Sequence, residues 1–228
     1  MTTFTLTKPL ACLAAFATVI LPSWAAGDWE QFNYWKLDGG PLWTSSTGVE
    51  DLFGPVRSGT KVDFGIGASV GLGAGYRVTD WFAAELDTSF MVSPIESITG
   101  VGQVDGTVFN FPLMVNGIFQ IPNRSRFTPY AGLGIGGVFS TLDLAYLNYG
   151  NTVFSGTSSA AVFAFQGFAG VRFALTEHTS LGVEYRFLRT QGPSYDIDWG
   201  FYSNLHSDQI RFEAMTMQSV GIRFDVRF

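Results

Sequence analysis

The sequence predicts an all-β fold, an eight-stranded antiparallel up-and-down transmembrane β-barrel with its apolar wall turned to lipid, on three observations. Of 228 residues 46% are hydrophobic and 16% aromatic, but only 14% carry charge, well below the roughly 25% of soluble domains. Beyond the N-terminus no run reaches the ~18 uninterrupted apolar residues that a membrane-crossing helix needs. From Val62 onward apolar residues recur with period two, the strand period, and no helical period competes with it.

Taken in chain order, the first element is a leader. Lys8 supplies a positive start, an apolar run covers 10–21, Pro22 breaks it, and Ser23-Trp24-Ala25 offers small residues at a cleavage site. Residues 1–25 are therefore expected to be a signal peptide and 26–228 the mature domain. Cys12, the one cysteine, lies inside that leader. The mature chain would then have no disulfide, thiol nucleophile or thiolate metal site. The formal charge of −6 becomes one unit more negative without Lys8. An acidic chain without a basic stripe is a poor partner for nucleic acid.

Seven strands follow from the alternation, at about 62–78, 81–92, 106–121, 128–141, 160–175, 180–188 and 214–228. In the first, Val62, Phe64, Ile66, Ala68, Val70, Leu72, Ala74, Tyr76 and Val78 share a face, opposite Asp63, Ser69, Arg77 and glycines. In the second, Phe82, Leu86 and Phe90 oppose Glu85, Asp87 and Ser89. Phe109, Phe111, Leu113 and Val115 oppose Asn110 and Asn116, and Phe163, Phe165 and Val171 oppose Gln166 and Arg172. Leu181, Val183 and Tyr185 oppose Glu184 and Arg186, while Ile222, Phe224, Val226 and Phe228 oppose Arg223, Asp225 and Arg227. Where a strand holds two or more charges they fall on one face, never the aromatic one. Apolar outside and polar inside, in segments of about ten residues, is the pattern of an outer-membrane barrel.

The connections alternate as well. Short turns are expected at 79–80, 122–126 and 176–179, and long polar connections at 45–61, 93–103, 142–159 and 189–213. One rim would then be tight and the other free to grow. Closure requires an even strand number, because no backbone group in lipid is left unpaired. The eighth strand is expected in 29–43, although Gly39-Gly40-Pro41 interrupts its alternation. Eight strands leave an interior that side chains fill, which argues against a wide pore.

Ten charges are expected in the lumen: Asp63, Arg77, Glu85, Asp87, Arg172, Glu184, Arg186, Arg223, Asp225 and Arg227. Five acids balance five bases, which suits a paired network, since an unpaired buried ion costs several kcal/mol. Asp63 and Arg227 stand nearest the mouths. A narrow solute or ion path through the same charges is the alternative reading. Gly132 to Gly137 spells a dinucleotide-binding motif, yet it continues as a strand instead of opening a helix. His206-Ser207-Asp208 sets triad-type residues side by side, but neighbours on an extended segment point to opposite sides. No catalytic, cofactor-binding or metal-binding residue is assigned. Tyr146, Tyr149, Tyr195, Trp199, Phe201 and Tyr202 in the long connections suit either an interaction surface or an interfacial aromatic girdle.

Several segments carry a resemblance. They are Gly75-Tyr76-Arg77 with its following turn and Ala84-Glu85-Leu86, Thr128-Pro129-Tyr130-Ala131-Gly132, Gly170-Val171-Arg172-Phe173 and Glu184-Tyr185-Arg186-Phe187. The ending Val220-Gly221-Ile222-Arg223-Phe224-Asp225-Val226-Arg227-Phe228 completes it. Together they resemble the small outer-membrane barrels related to the OmpA transmembrane domain and the opacity-type surface proteins. That resemblance implies a cofactor-free eight-stranded barrel of the outer membrane, with structural, adhesive or surface-interaction roles. It also implies that Phe224, Val226 and Phe228 form the C-terminal signal read by barrel-insertion machinery. No peptidoglycan-binding domain follows Phe228, so a cell-wall tether is not expected. The expectation is thus a monomeric, non-enzymatic barrel in contact with outer-membrane lipid and lipopolysaccharide, whose long connections meet any extracellular ligand.

Overall fold

A computed structural model describes residues 34–52, 56–101, 103–123, 125–149, 152–196 and 209–228. The expected leader, Trp199, Phe201, Tyr202 and the 206–208 triplet lie outside the described residues. Twelve strands follow in order: β1 (Tyr34–Thr44), β2 (Thr47–Leu52), β3 (Lys61–Phe64), β4 (Ile66–Arg77), β5 (Phe82–Ile98) and β6 (Val104–Gln120). The rest are β7 (Phe127–Tyr149), β8 (Thr152–Ala174), β9 (Thr179–Thr190), β10 (Ser194–Asp196), β11 (Gln209–Phe212) and β12 (Thr216–Arg227).

Eight of them close an antiparallel barrel, in which β1, β4, β5, β6, β7, β8, β9 and β12 follow one another and β12 returns to β1. The closing strand is described over Tyr34–Thr44, and the part of the expectation at 29–33 lies outside the described residues. It pairs on both flanks, from Tyr34↔Arg227 to Thr44↔Met217 and from Tyr34↔Gly75 to Trp43↔Ile66. Its Gly-Gly-Pro interruption is accommodated in the ladder. Pro41 has no N–H to give, and a Cβ at Gly40 would collide with the Val220 carbonyl oxygen of β12.

At one rim the turns are tight. The Val78 and Thr79 amides donate to the Phe82 carbonyl at 3.0 Å each, and the Thr176 hydroxyl accepts from the His178 and Thr179 amides. At the other rim the expected polar connections contain strand of their own among the described residues. β5 runs on to Ile98, β7 and β8 reach 23 residues each, and β2, β3, β10 and β11 form an extension ordered β10-β11-β2-β3-β5. A barrel strand crosses a bilayer in about 9–11 residues, so β7 and β8 project well past it.

Two features break the simple alternation. The expected strand 62–78 is two strands, parted at Gly65 with a register shift between Asp63 and Phe64. Val62 is fully buried whereas Ile66, of the same parity, is 71% exposed, so they do not share a face. Further along, β7 and β8 swap the polarity of their faces. Up to Phe139 and Phe163 the outward residues are apolar; beyond them Thr141, Asp143, Thr157 and Ser159 point outward while Leu142, Leu144 and Leu147 are buried inside. The lower barrel is polar within and greasy without, and the upper part has the opposite sense, like a soluble β-protein.

Candidate functional site: a layered barrel interior

The interior is stacked in layers along the barrel axis. Nearest the short turns, the Arg172 guanidinium lies 4.5 Å from the centre of the Tyr130 ring and donates to Gln120 Oε1 at 2.8 Å. Arg77 and Arg227 stand half-buried at that mouth.

Above this comes the ionic layer. Lys36 and Asp38 on β1, Glu85 and Asp87 on β5, Glu184 and Arg186 on β9, and Arg223 and Asp225 on β12 all turn inward. Each is two residues from its partner, the spacing that keeps side chains on one face. Arg223 meets Glu85 at 2.6 Å, Asp225 at 2.8 Å and Glu184 at 3.1 Å. Arg186 meets Asp87 at 2.7 Å, Glu184 at 2.8 Å and Asp38 at 3.4 Å. The Lys36 ammonium lies 2.9 Å from Asp87, 3.4 Å from Glu85 and 3.6 Å from Asp38. The Tyr34 and Tyr130 hydroxyls donate to Glu85 and Glu184, each at 2.9 Å. Gln166 bridges Asn116 and Asp87 at 2.6 and 3.4 Å. Glycine makes room for this crowd: a Cβ at Gly75 would strike the Tyr34 ring.

A cavity of about 10 Å³ caps the ionic layer, bordered by Asp38, Ser69, Ser89, Glu184, Arg186 and Ser219. Over it sits an apolar plug that includes Leu42, Met91, Val108, Met114, Leu142, Leu188 and Met217, continued upward by Val49, Leu52, Ile210 and Phe212 of the extension. Tyr195 enters this plug fully buried, its hydroxyl 2.6 Å from that of Ser140. Desolvation pushes its phenol up to about 12. Neither reading of the aromatic connections covers Tyr195, which belongs to the interior. Tyr146, half-buried, lines an outer groove of about 600 Å³ with Glu96, Ile98, Gln103 and Asp105.

The structure therefore gathers Glu85, Asp87, Glu184, Arg186, Arg223 and Asp225 into one network, sets Arg172 beneath it, and leaves Arg77 and Arg227 at the mouth. Asp63 is not in the lumen. The break at Gly65 carries it to the far rim, where hydroxyl donors Ser46 and Ser97 hold its carboxyl below the usual range. Lys36 and Asp38 were missed from the sequence, although Trp35 and Leu37 alternate with them, because Gly39-Gly40-Pro41 cuts that pattern short. Among the described residues three cations and five carboxylates pair directly in the network, with Arg172, Arg77 and Arg227 on the side of the short turns.

The outer wall completes the geometry. Trp35, Leu37, Leu72, Leu86, Val115, Leu133, Val183 and Ile222 face outward around the barrel, each at least 36% exposed. Tyr76, Trp81, Phe127 and Phe228 are exposed beside the short turns, with Trp81 stacked on Phe119 at 6.0 Å. Phe224 on the last strand and Phe228 just past its end are exposed, and Val226 is half-buried between Trp35 and Thr179.

The family described as outer membrane protein beta-barrel domain matches residues 11–228. The chain belongs to that family. This places the barrel in the outer membrane, with lipid against its apolar wall. Similar proteins include an uncharacterised protein of Brucella suis, 26% identical over 194 residues, which cover 71% of this chain and 62% of the relative. Another, from Brucella abortus, is 27% identical over 177 residues, 64% of this chain and 58% of the relative. The barrel thus spans about three fifths of the length of these relatives. Among solved structures, Neisserial surface protein A superposes with a TM-score of 0.52 at 17% identity, covering 86% of this chain and 96% of that one. OprG from Pseudomonas aeruginosa gives 0.55 at 16% identity, covering 87% and 98%. The outer membrane protein AlkL gives 0.55 at 16% identity, covering 87% and 92%. At such identities the likeness concerns the fold.

Proposed function

We propose that this barrel is a monomeric, non-enzymatic structural or surface-interaction protein. Its extended rim faces the outside of the cell and its tight turns face the periplasm. The observation that carries the reading is the filled interior: ionic layer, small cavity and apolar plug follow one another along the axis. Structure beyond the barrel is concentrated on one rim, where β7 and β8 project and the groove beside Tyr146 opens. Rims elaborated on one side only are the habit of outer-membrane barrels, with longer connections outside. Lipopolysaccharide surrounds the outer half of the wall, and Phe224, Val226 and Phe228 serve as the insertion signal.

Protease treatment of intact expressing cells tests the orientation, with cuts expected only in the connections that follow β2, β5, β7 and β10. Cuts in the turns at 79–80 or 176–179 would reverse it. Planar-bilayer recording tests the filled interior and is expected to show no steady conductance. A conductance abolished by Glu85→Ala or Arg223→Ala would replace this reading with a narrow channel. Deleting Phe228 is expected to leave the chain unassembled in the periplasm.

A further inference from the structure

The apolar wall ends, at the level of the polarity switch, in a ring of large side chains that is broken at one place. Tracing paired residues once round the barrel leads from Tyr34 back to its own strand at Thr44, ten residues further along. Points of equal height therefore step by about one and a quarter residues from each of the eight strands to the next. At the height of Phe139 on β7 and Phe163 on β8, the outward residues are Trp43 on β1, Ile66 on β4 and Phe111 on β6. Phe90 of β5 closes that arc, its ring centre 4.9 Å from that of Phe111. On β9 the outward residue at this height is Arg189, and on β12 Thr216 and Gln218 straddle it. Their neighbours Leu188, Thr190, Met217 and Ser219 are buried inside.

The break is built of hydrogen-bond donors. Arg189 is exposed, set between Phe165 and Thr216 on the flanking strands and two residues above Phe187 on its own. No ion pair joins it to a described residue. Glu213, the next acid up the chain from Thr216, has its carboxyl against Gly48 instead. The Tyr185 hydroxyl donates to Gln218 Oε1 at 2.8 Å, which fixes that side chain and leaves its –NH2 group to donate elsewhere. The anion that this patch lacks must come from what surrounds the wall, and at the edge of the apolar band that is the layer of lipid head groups. A guanidinium matches a phosphate in bidentate fashion, and basic side chains at a membrane surface recruit anionic head groups.

We propose that Arg189, Gln218 and Thr216 form a binding site for a phosphate group of lipopolysaccharide in the outer leaflet. Trp43 and Phe163 stand on either side of it, where acyl chains pack. The site deepens the lipid contact proposed above and rests on that orientation, with the extended rim outside.

Native mass spectrometry of the full mature barrel in detergent micelles tests it. The probes are lipid A carrying its phosphates, lipid A from which they have been removed, and inorganic phosphate. The phosphorylated lipid is expected to bind, and Arg189→Gln to weaken it about 10- to 150-fold, the range for losing a hydrogen bond to a charged group. Arg189→Lys, which keeps the charge without the fork, should fall between the two. Lys61→Gln removes an exposed cation of the rim and is expected to change nothing. Equal retention of the dephosphorylated lipid would overturn the proposal, since an arginine that merely snorkels makes no such distinction. Equal losses in Arg189→Gln and Lys61→Gln would also refute it, as unspecific charge attraction. Displacement of the lipid by inorganic phosphate at matching concentration would refute it as a free-anion site. Binding in micelles does not depend on how the barrel is inserted, so its failure leaves the orientation standing. A reversed protease pattern on cells would instead overturn the lipopolysaccharide assignment while binding in micelles persisted.

Discussion

Replacing Arg223 by methionine keeps much of the side-chain volume and removes the charge at the centre of the ionic layer. Arg223 is fully buried and touches Glu85, Asp225 and Glu184 within 3.1 Å. Its loss takes from Glu85, Asp225 and Glu184 the one guanidinium they share. Taking one partner out of a buried ion pair costs about 3–5 kcal/mol, equivalent to about two to three and a half decades in the folding equilibrium. Reversible urea unfolding of the barrel in lipid vesicles, followed by tryptophan fluorescence, measures that loss directly. Adding Glu85→Gln to Arg223→Met should recover part of it, because the second change removes one of the orphaned charges. The two sites should couple by more than about 1 kcal/mol. A single-variant cost below about 1 kcal/mol, the value of an exposed pair, would refute the reasoning, since it would mean that water reaches the layer.

Three further outcomes follow from the faces and the plug. Leu133, outward and 71% exposed midway along the stretch of β7 from Phe127 to Phe139 whose outer face is apolar, should cost about 2–4 kcal/mol as Leu133→Arg in vesicles. Asp143→Arg, on the same face beyond the polarity switch, should stay within about 0.5 kcal/mol. Leu142→Ala empties part of the plug at a fully buried position and should lower urea stability by about 2–5 kcal/mol. Tyr195→Phe orphans the Ser140 hydroxyl and should cost about 1–3 kcal/mol. Because burial raises the Tyr195 phenol from 10.0 to about 12, the contribution of its neutral form is complete below about pH 10. It fades as pH rises toward 12. Stability curves of wild type and Tyr195→Phe should therefore converge across that interval, and parallel curves would contradict the assignment.

The lower barrel was legible because its chemistry is expressed at period two. Glu85 and Asp87 flanking Leu86, or Glu184 and Arg186 alternating with Val183 and Tyr185, declare their faces without any knowledge of neighbours. Lys36 and Asp38 obey the same rule over too few residues before a Gly-Gly-Pro break to be separated from a loop. The polarity switch in β7 and β8 could not be read locally. A stretch such as Thr141 to Leu144 alternates equally well whichever face meets lipid, and only the height of the bilayer decides. Tyr195 depends on Ser140, 55 residues earlier, and no periodicity carries that pairing. Asp63 was misplaced by a single backbone break at Gly65, which shifts the phase of everything before it.

The polarity switch divides the molecule between two kinds of cohesion. In the upper part, apolar side chains leave water when the chain folds, so that region carries the heat-capacity change and the weakening in the cold that accompany hydrophobic burial. In the lower barrel the wall rests against hydrocarbon as apolar as itself, so solvent exclusion adds little between neighbours, and ion pairs with oriented dipoles do the joining. Calorimetry of the intact barrel should thus register mainly the rim, and denaturants that act on exposed surface should loosen it first. The stretch inside the bilayer would answer chiefly to whatever disturbs its charges. One polypeptide is in this sense held by two thermodynamically different materials, welded together at the level of Phe139 and Phe163.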